Sequence, residues 1–592
     1  MKKLFALLCT GLLLVSLVAC SQNNKSTGNS TTGDFAGEAA GKGGIIKVSV
    51  HLEDGVLTKI DVLEQHETRP ITKAMDLLSQ EMIATNQVDV DSITGATITS
   101  SGFKGAVKDA LSKAGIESSQ LVAKEKEAHQ AQTIEEEYDV VVIGAGGAGL
   151  VSAITAAEEG AKVAVMEKLQ MAAGNTLLSG AEYAAANNWI QKKEGIEDSP
   201  ETMMADMLKG GDNEGDPELV RVLSENATKE AEWLRDDVKV EWTDELMHFG
   251  GHSVKRSLVP LGATGEEIIG KLLKKAEELG IKIYYDTTAK KILSSEEGVA
   301  NGVYGENSRG LGDKVTLHAK NGVIIATGGF GSSVEMRTKY NPEMGAQYKS
   351  TDSVADVGEG ITMAESLNAQ LEDMSFIQTY PMCDPLSGGL LYIDDARLYG
   401  YTMIVNKEGK RFMNELGRRD VMSKAILAQT DGVCYELMDE TGFTNSKIME
   451  NHGGEVAFMT ATKQFVKKDT LEEVAEFFGI NVDEFKKSVE TYNSYVEAGS
   501  DPEFEKSSLK AKIETAPYYI VKATPAVHHT MGGILINTKA EVLNTKKEVI
   551  PHLYAAGEVT GNIHGTNRLG SCALADLTVF GRIAGKEAAS VK

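Results

Sequence analysis

The chain has 592 residues, 42% of them hydrophobic and 25% charged, with 60 glycines. That length exceeds what one hydrophobic core supports, so three or four domains are expected. The formal net charge of −26 repels phosphate backbones and excludes nucleic acid as an expected partner.

The first twenty residues read as an address. Lys2 and Lys3 form a basic start, and Leu4 to Ala19 is an apolar run too short for a stable membrane span. The run ends in LVAC. Small residues ahead of a single cysteine resemble a bacterial lipobox, which implies lipidation at Cys20 and an extracytoplasmic protein anchored to the cell membrane. Residues 21–35 are polar and read as a tether. The five cysteines, Cys9, Cys20, Cys383, Cys434 and Cys572, make no C-x-x-C pair and no C-x-x-C-H haem motif. Electrons entering this chain need a carrier other than c-type haem. No metal site is expected.

Residues 36–115 read as a small α+β unit. IIKVSVHLEDGVLTKIDVLEQ gives two strands around the turn Glu53-Asp54-Gly55. RPITKAMDLLSQEMIA has helical spacing, and an amphipathic helix is expected from Phe103. Before it, DSITGAT gathers hydroxyls around Gly95, where free N–H groups of a helix start suit a phosphate. This loop resembles the FMN-binding domain family through Asp91, Thr94, Gly95, Ala96 and Thr97. The resemblance implies that a flavin transferase links FMN to Thr97 by a phosphoester, which supplies the missing electron relay. Residues 116–137 are charged, lack apolar periodicity and read as a linker.

YDVVVIGAGGAGLVSAITAAEEGAKVAVMEK is a βαβ unit. Val140 to Ile143 form a buried strand, a helix is expected from Ala148 to Glu159, and a second strand from Val163 to Met166. Gly144, Gly146 and Gly149 give G-x-G-x-x-G, letting the backbone approach a pyrophosphate. Glu167 ends the second strand, where a carboxylate can hold a ribose diol. Motifs further on, GNTLLSGAEYAAANN, NGVIIATGGFG and LYAAGEVTGNIHGTNRLGSCALADLTVFG, resemble the FAD-dependent fumarate reductase and succinate dehydrogenase flavoprotein family over roughly residues 138–590.

The resemblance implies an α/β fold: a Rossmann-like FAD-binding domain (138–380 and 527–592) with an inserted α+β capping domain (381–526). It also implies non-covalent FAD held by Gly144, Gly146, Ala148, Gly149, Glu167, Asn175, Thr176, Gly180, Glu359, Glu558, Arg568, Ala573 and Leu574. Glu558 would meet the ribityl chain, and Ala573 and Leu574 would approach the isoalloxazine from the last helix. In the cap, VNKEGKRFMNELGRRD reads as a strand pair leading into a helix. A cap closing over a flavin excludes water from the reacting centre.

Reducing an activated alkene requires a cationic clamp for the carboxylate and a proton donor. By the same resemblance His528 of HHTMGG and Arg568 of NRLG bind one carboxylate, and Arg419 of GRRD delivers the proton; Arg418 is the competing neighbour. His529 is left as structural. Where fumarate reductases of the family carry a histidine for the second carboxylate, this chain has Tyr380 in IQTYP. Where they carry T-E-A-V-R, it has DDARL, which puts Asp395 in the glutamate place and Leu398 in that of the relay arginine; a slip of one residue brings in Arg397. A phenol and a carboxylate repel a second anion and favour a neutral or cationic N–H-bearing ring. The Tyr and Asp combination resembles the urocanate reductase branch, which implies urocanate as substrate, an enoate. Reduction of fumarate or an aryl acrylate is the alternative within the class, and a lipid-anchored electron-carrier flavoprotein the alternative outside it. A membrane quinol-linked electron donor is expected.

Overall fold

The computed structural model describes residues 31–41, 44–67, 69–126 and 128–591. The apolar leader and Cys20 lie outside the described residues. Among the described residues, no helix is long and apolar enough to cross a membrane.

The N-terminal unit is a three-stranded antiparallel sheet of Gly33–Ala40, Ile45–Glu53 and Val56–Glu64, in that order. Alternation sets its inner face: Ile46, Val48, Val50 and Leu52 are all fully buried. The helices Arg69–Thr85 and Thr97–Lys113 cover that face. The second presses close to the first strand, since a Cβ on Gly37 would stand 2.1 Å from Ala106 O. Two expectations need correcting. Residues 33–35 belong to a strand and not to a tether, because pairing with Val50 to Leu52 orders them. The helix begins at Thr97, six residues ahead of Phe103, because its first turn is polar outside but buries Thr99 and Ser100.

The FAD-type unit is built on an eight-stranded sheet. Its main path runs Thr287–Ser294, Ala300–Asn307, Lys314–Ile325, Thr133–Ile143, Val163–Met166, Lys282–Tyr284. The last four strands are parallel, and Val549–Ala555 joins in parallel beside Lys314–Ile325. The helix Gly147–Glu158 crosses from the first βαβ strand to the second. The strand before it is longer than expected. Residues 133–137, read as linker, pair with Lys314 to His318 at the exposed end of the sheet, where one face stays charged.

The cap sheet orders Ile377–Cys383, Tyr518–Thr530, Cys434–Asp439 and Met403–Val405, all antiparallel, with Phe465–Lys468 also on Tyr518–Thr530. Tyr380 and Ala526 are register partners, so chain entry and exit are stitched together. The strand pair expected in VNKEGKRFMNELGRRD is half formed. Met403–Val405 is a strand, but after the turn the chain runs irregularly to the helix Arg419–Leu427. Buried ion pairs explain it: Arg411 donates to Glu415 (2.8 Å) and Asp501 (2.7 Å), drawing the segment into the cap interior.

The N-terminal unit is docked on the FAD-type unit. A Cβ on Gly95 would stand 2.6 Å from Ala173 Cβ, and Lys73 Nζ lies 3.4 Å from the centre of the Tyr285 ring.

Candidate active site

One cleft opens at the ends of the parallel strands, under the cap. It encloses about 1700 Å³ of space, open mouth included. Ordinary small-molecule sites span roughly 300–1,000 Å³, so this one has room for a dinucleotide and a substrate together.

The glycine loop forms one wall. Gly144 takes φ +103, and a Cβ on Gly149 would stand 1.9 Å from Gly144 O. Gly149 therefore closes the turn behind the cleft, while Gly144, Gly146 and Ala148 line it. Nothing lies within 4 Å of a Cβ built on Gly146, which leaves its backbone open to a ligand. Glu167 accepts from Ala145 N (2.7 Å) and Leu169 N (2.8 Å), and burial pushes its carboxyl up. Asn175, Thr176 and Gly180 line the middle. Asn175 donates to Glu558 Oε2 (2.9 Å). Glu359 lines the rim, paired with Lys168 at 2.5 Å. Ala573 and Leu574 enter from the start of the helix Cys572–Ser590.

These residues fit FAD. Thr327 Oγ1 and Asp356 Oδ1 are buried cleft-wall atoms without a hydrogen-bond partner, and such orphans call for a polar ligand. Asp352, Asp356 and Glu558 bring acceptor atoms within 4.8 Å of one another. Burial, then their mutual repulsion, raises the aspartate pKa values. A hydroxyl-rich ligand chain would supply the donor that Asp356 Oδ1 lacks.

Beyond the flavin region the cleft is lined by Tyr380, Asp395, Arg419, His528 and Arg568. Arg568 is buried, its Nε has no partner, and burial plus Arg419 lower its pKa to about 9. His528 is held neutral by burial and by Arg419 and Arg568; its Nδ1 lies 2.8 Å from Thr351 Oγ1. Arg419 donates to Gln378 Oε1 (3.2 Å) and lies 4.8 Å from the centre of the Tyr380 ring. Burial lowers its pKa. Arg418 turns the other way, to Asp212 (2.7 Å) and Asp420 (3.0 Å). His529 also lines the cleft, 3.5 Å from Glu558.

The Tyr380 and DDARL assignments need correcting. The Tyr380 hydroxyl donates to Asp394 Oδ2 (2.9 Å), not to Asp395 and not into the cleft. Asp394 is also gripped by Arg397, through Nε (2.6 Å) and Nη2 (2.5 Å). A buried carboxylate demands such donors. Asp394 and Arg397 thus pair at the spacing that the one-residue slip expects for the carboxylate and arginine, Leu398 has no polar group to offer, and Tyr380 presents its ring. Asp395, one residue on, faces the cleft instead.

Sequence reasoning missed three residues. Glu182 lines the cleft at the Asp395 end, and burial, then Asp395, raise its pKa to about 7. The signal was a lone carboxylate in the apolar run LLSGAEYAAA. His452 stands behind Asp395, Nε2 to Oδ2 3.6 Å. Glu455 accepts from Tyr392 N (3.0 Å) and Ile393 N (2.9 Å), fixing the adjoining wall. Nothing local marks the last two.

In the N-terminal unit, Thr97 is exposed at the first position of a 17-residue helix. An accessible hydroxyl at the positive end of a helix dipole fits an attached phosphate.

Comparison with known proteins agrees with both flavin regions. The FAD binding domain family matches residues 139–574, and the FMN-binding domain family residues 41–112. The chain is 43% identical over 588 residues to a urocanate reductase of Eggerthella lenta, covering 98% of this chain and 96% of that one. It is 38% identical over 467 residues to a cytochrome-type fumarate reductase of Shewanella frigidimarina, covering 78% and 79%. The open conformation of a flavocytochrome c3 fumarate reductase superposes with TM-score 0.64 at 34% identity, covering 77% and 78%. The chain belongs to the FAD-dependent fumarate reductase and succinate dehydrogenase flavoprotein family, carries an FMN-binding domain ahead of it, and is a flavin-dependent oxidoreductase acting on CH–CH bonds.

Proposed function

We propose that this chain is a urocanate reductase, converting urocanate to dihydrourocanate (imidazole propionate). One observation carries the reading: the substrate end of the cleft is cationic on one side and acidic on the other. Arg568, His528 and Arg419 lie together at the first, Glu182 and Asp395 at the second, with Arg419 near enough to Glu182 to act on its carboxyl. A dicarboxylate would bring its second anion against two carboxyl groups. An acrylate with an imidazole head offers N–H donors there. The 43% identity to a urocanate reductase supports the same choice.

FAD, held by the glycine loop, Glu167, Asn175 and Glu558, would supply hydride chemistry for the alkene. Arg568 and neutral His528 hold the carboxylate. With Nδ1 accepting from Thr351, His528 keeps Nε2–H for a carboxylate oxygen. Negative charge developing on the carboxylate and α-carbon is stabilised by two guanidinium groups, Arg568 buried and Arg419 half-buried. Arg419 gives the proton to the α-carbon. A guanidinium is an extremely weak acid in water, but its burial lowers the Arg419 pKa, and the carbanion-like acceptor is strongly basic. Asp394 and Arg397, bonded to the Tyr380 hydroxyl, are the groups assigned to reload it.

The reading extends to supply and location. FMN attached at Thr97 by a flavin transferase relays electrons from a membrane quinol-linked donor. Lipid at Cys20 holds the enzyme outside the cytoplasmic membrane. The test is an anaerobic assay with reduced viologen, on protein made together with a flavin transferase. Urocanate is expected to be reduced and fumarate to be poor. Ready reduction of fumarate with urocanate ignored would overturn the assignment.

A further inference from the structure

His452 is not explained by packing alone. The helix Ile448–Ala461 breaks its regular geometry at this residue, with φ −133 and ψ 26. The break lays the imidazole flat on Tyr392, ring centres 5.0 Å apart and planes 14° from parallel. Tyr392 is itself fixed, its hydroxyl donating to Leu178 O (2.6 Å) and its N–H to Glu455. The stacked histidine is 5% exposed, yet its Nε2 has no hydrogen-bond partner. A buried nitrogen left unpaired is destabilising, so it marks a group whose partner arrives by a small movement. The acceptor facing it is Asp395 Oδ2 at 3.6 Å. Asp395 lines the cleft.

We propose that His452 is a positioning residue for substrate recognition, holding Asp395 so that its carboxylate meets the ring N–H of the substrate. This rests on the urocanate reading above. When the ring donates to one oxygen of Asp395, His452 closes on the other. The dyad then acts on the head of the substrate alone. The carboxylate clamp, Arg568 and His528, is on other strands and loops and does not depend on it.

The experiment compares His452→Ala, His452→Phe and His452→Gln with wild type, as full-length protein carrying both flavins. Phenylalanine keeps the stack on Tyr392 but removes the nitrogen; glutamine restores a neutral donor. Two readouts are taken: kcat and KM for urocanate and for acrylate, which has no head, and the urocanate Kd of the oxidised enzyme from the flavin absorbance shift. FAD content and Tm identify any variant that fails to fold. Ala and Phe are expected to raise urocanate KM and Kd about 10- to 100-fold, the size of one lost charge-assisted contact. In both, kcat stays within about 3-fold and acrylate kinetics are unchanged, each shift being under 1 kcal/mol; Gln recovers most of the loss. Wild-type urocanate affinity in Phe, or equal losses on both substrates, would overturn the dyad. A wild-type enzyme that does not reduce urocanate would instead overturn the substrate assignment.

Discussion

Arg418 and Arg419 show how finely this site discriminates between neighbours. One is tied to Asp212 and Asp420 outside the cleft lining; the other is half-buried over the Tyr380 ring and lines the cleft. The same contrast separates Asp394 from Asp395, since successive helical positions point about 100° apart. Glu182 adds a titration to the acidic end. Its carboxyl is raised to about 7, first by burial and then by Asp395. The native state therefore keeps a proton that the unfolded chain releases near the ordinary carboxyl value of 4.5. Stability is fully present below that value and is lost as pH rises toward 7. The loss is about 1–3 kcal/mol, discounted for partial solvent access. Glu182→Gln removes it. Measured without substrate, its Tm should match wild type at pH 5 and exceed it at pH 8. A gap that does not change with pH would mean that Glu182 is ionised throughout.

At the scale of elements, what the sequence made legible was local chemistry. The strand, glycine turn, helix and acid of residues 140–167 follow from spacing alone, and the helix began one residue from its expected place. The strand Gly33–Ala40 was not legible, because GDFAGEAA has no hydrophobic alternation and is ordered by its neighbour. Thr133 to Glu137 was masked the same way, by charge on an edge that pairs only in three dimensions. In the site, His528, Arg568 and Asp395 were readable because they lie in tight motifs, and all three line the cleft. Glu182 and His452 were not, because they join Asp395 from distant segments. The docked FMN-type loop was equally hidden. Its contact rests on Gly95, which takes φ +84 and has Ala173 against it. Gly95→Val should lift the N-terminal unit away without emptying the FAD site. The expected signs are a larger radius of gyration in small-angle scattering and faster proteolysis within residues 121–132, at unchanged FAD absorbance. Unaltered scattering and cleavage would show that docking does not need this approach.

For the whole molecule, the question is what sets the cap over the flavin region. Among the described residues, ion pairs that cross between them join Arg418 with Asp212 and Lys447 with Glu245. Both are solvent-accessible, and such pairs contribute about 0–1 kcal/mol and weaken in salt. A close contact near the site is backbone on backbone: a Cβ on Gly250 would stand 2.8 Å from Leu416 O and 3.1 Å from Gly417 O. Those carbonyls lie two to three residues ahead of Arg419, so the approach fixes where the proton donor enters the cleft. Misplacing a reacting group by about 1 Å can cost about 10²-fold in rate. Gly250→Val should therefore lower kcat by about that factor with FAD still bound. Asp212→Asn, or assay in 0.5 M salt, should change kcat by no more than about 3-fold, since only a screened pair is lost. The decisive comparison is kcat for the two variants at matched FAD content. If the valine variant turned over like wild type and the asparagine variant did not, the ion pairs, and not the glycine contact, would be what holds the cap in its working position.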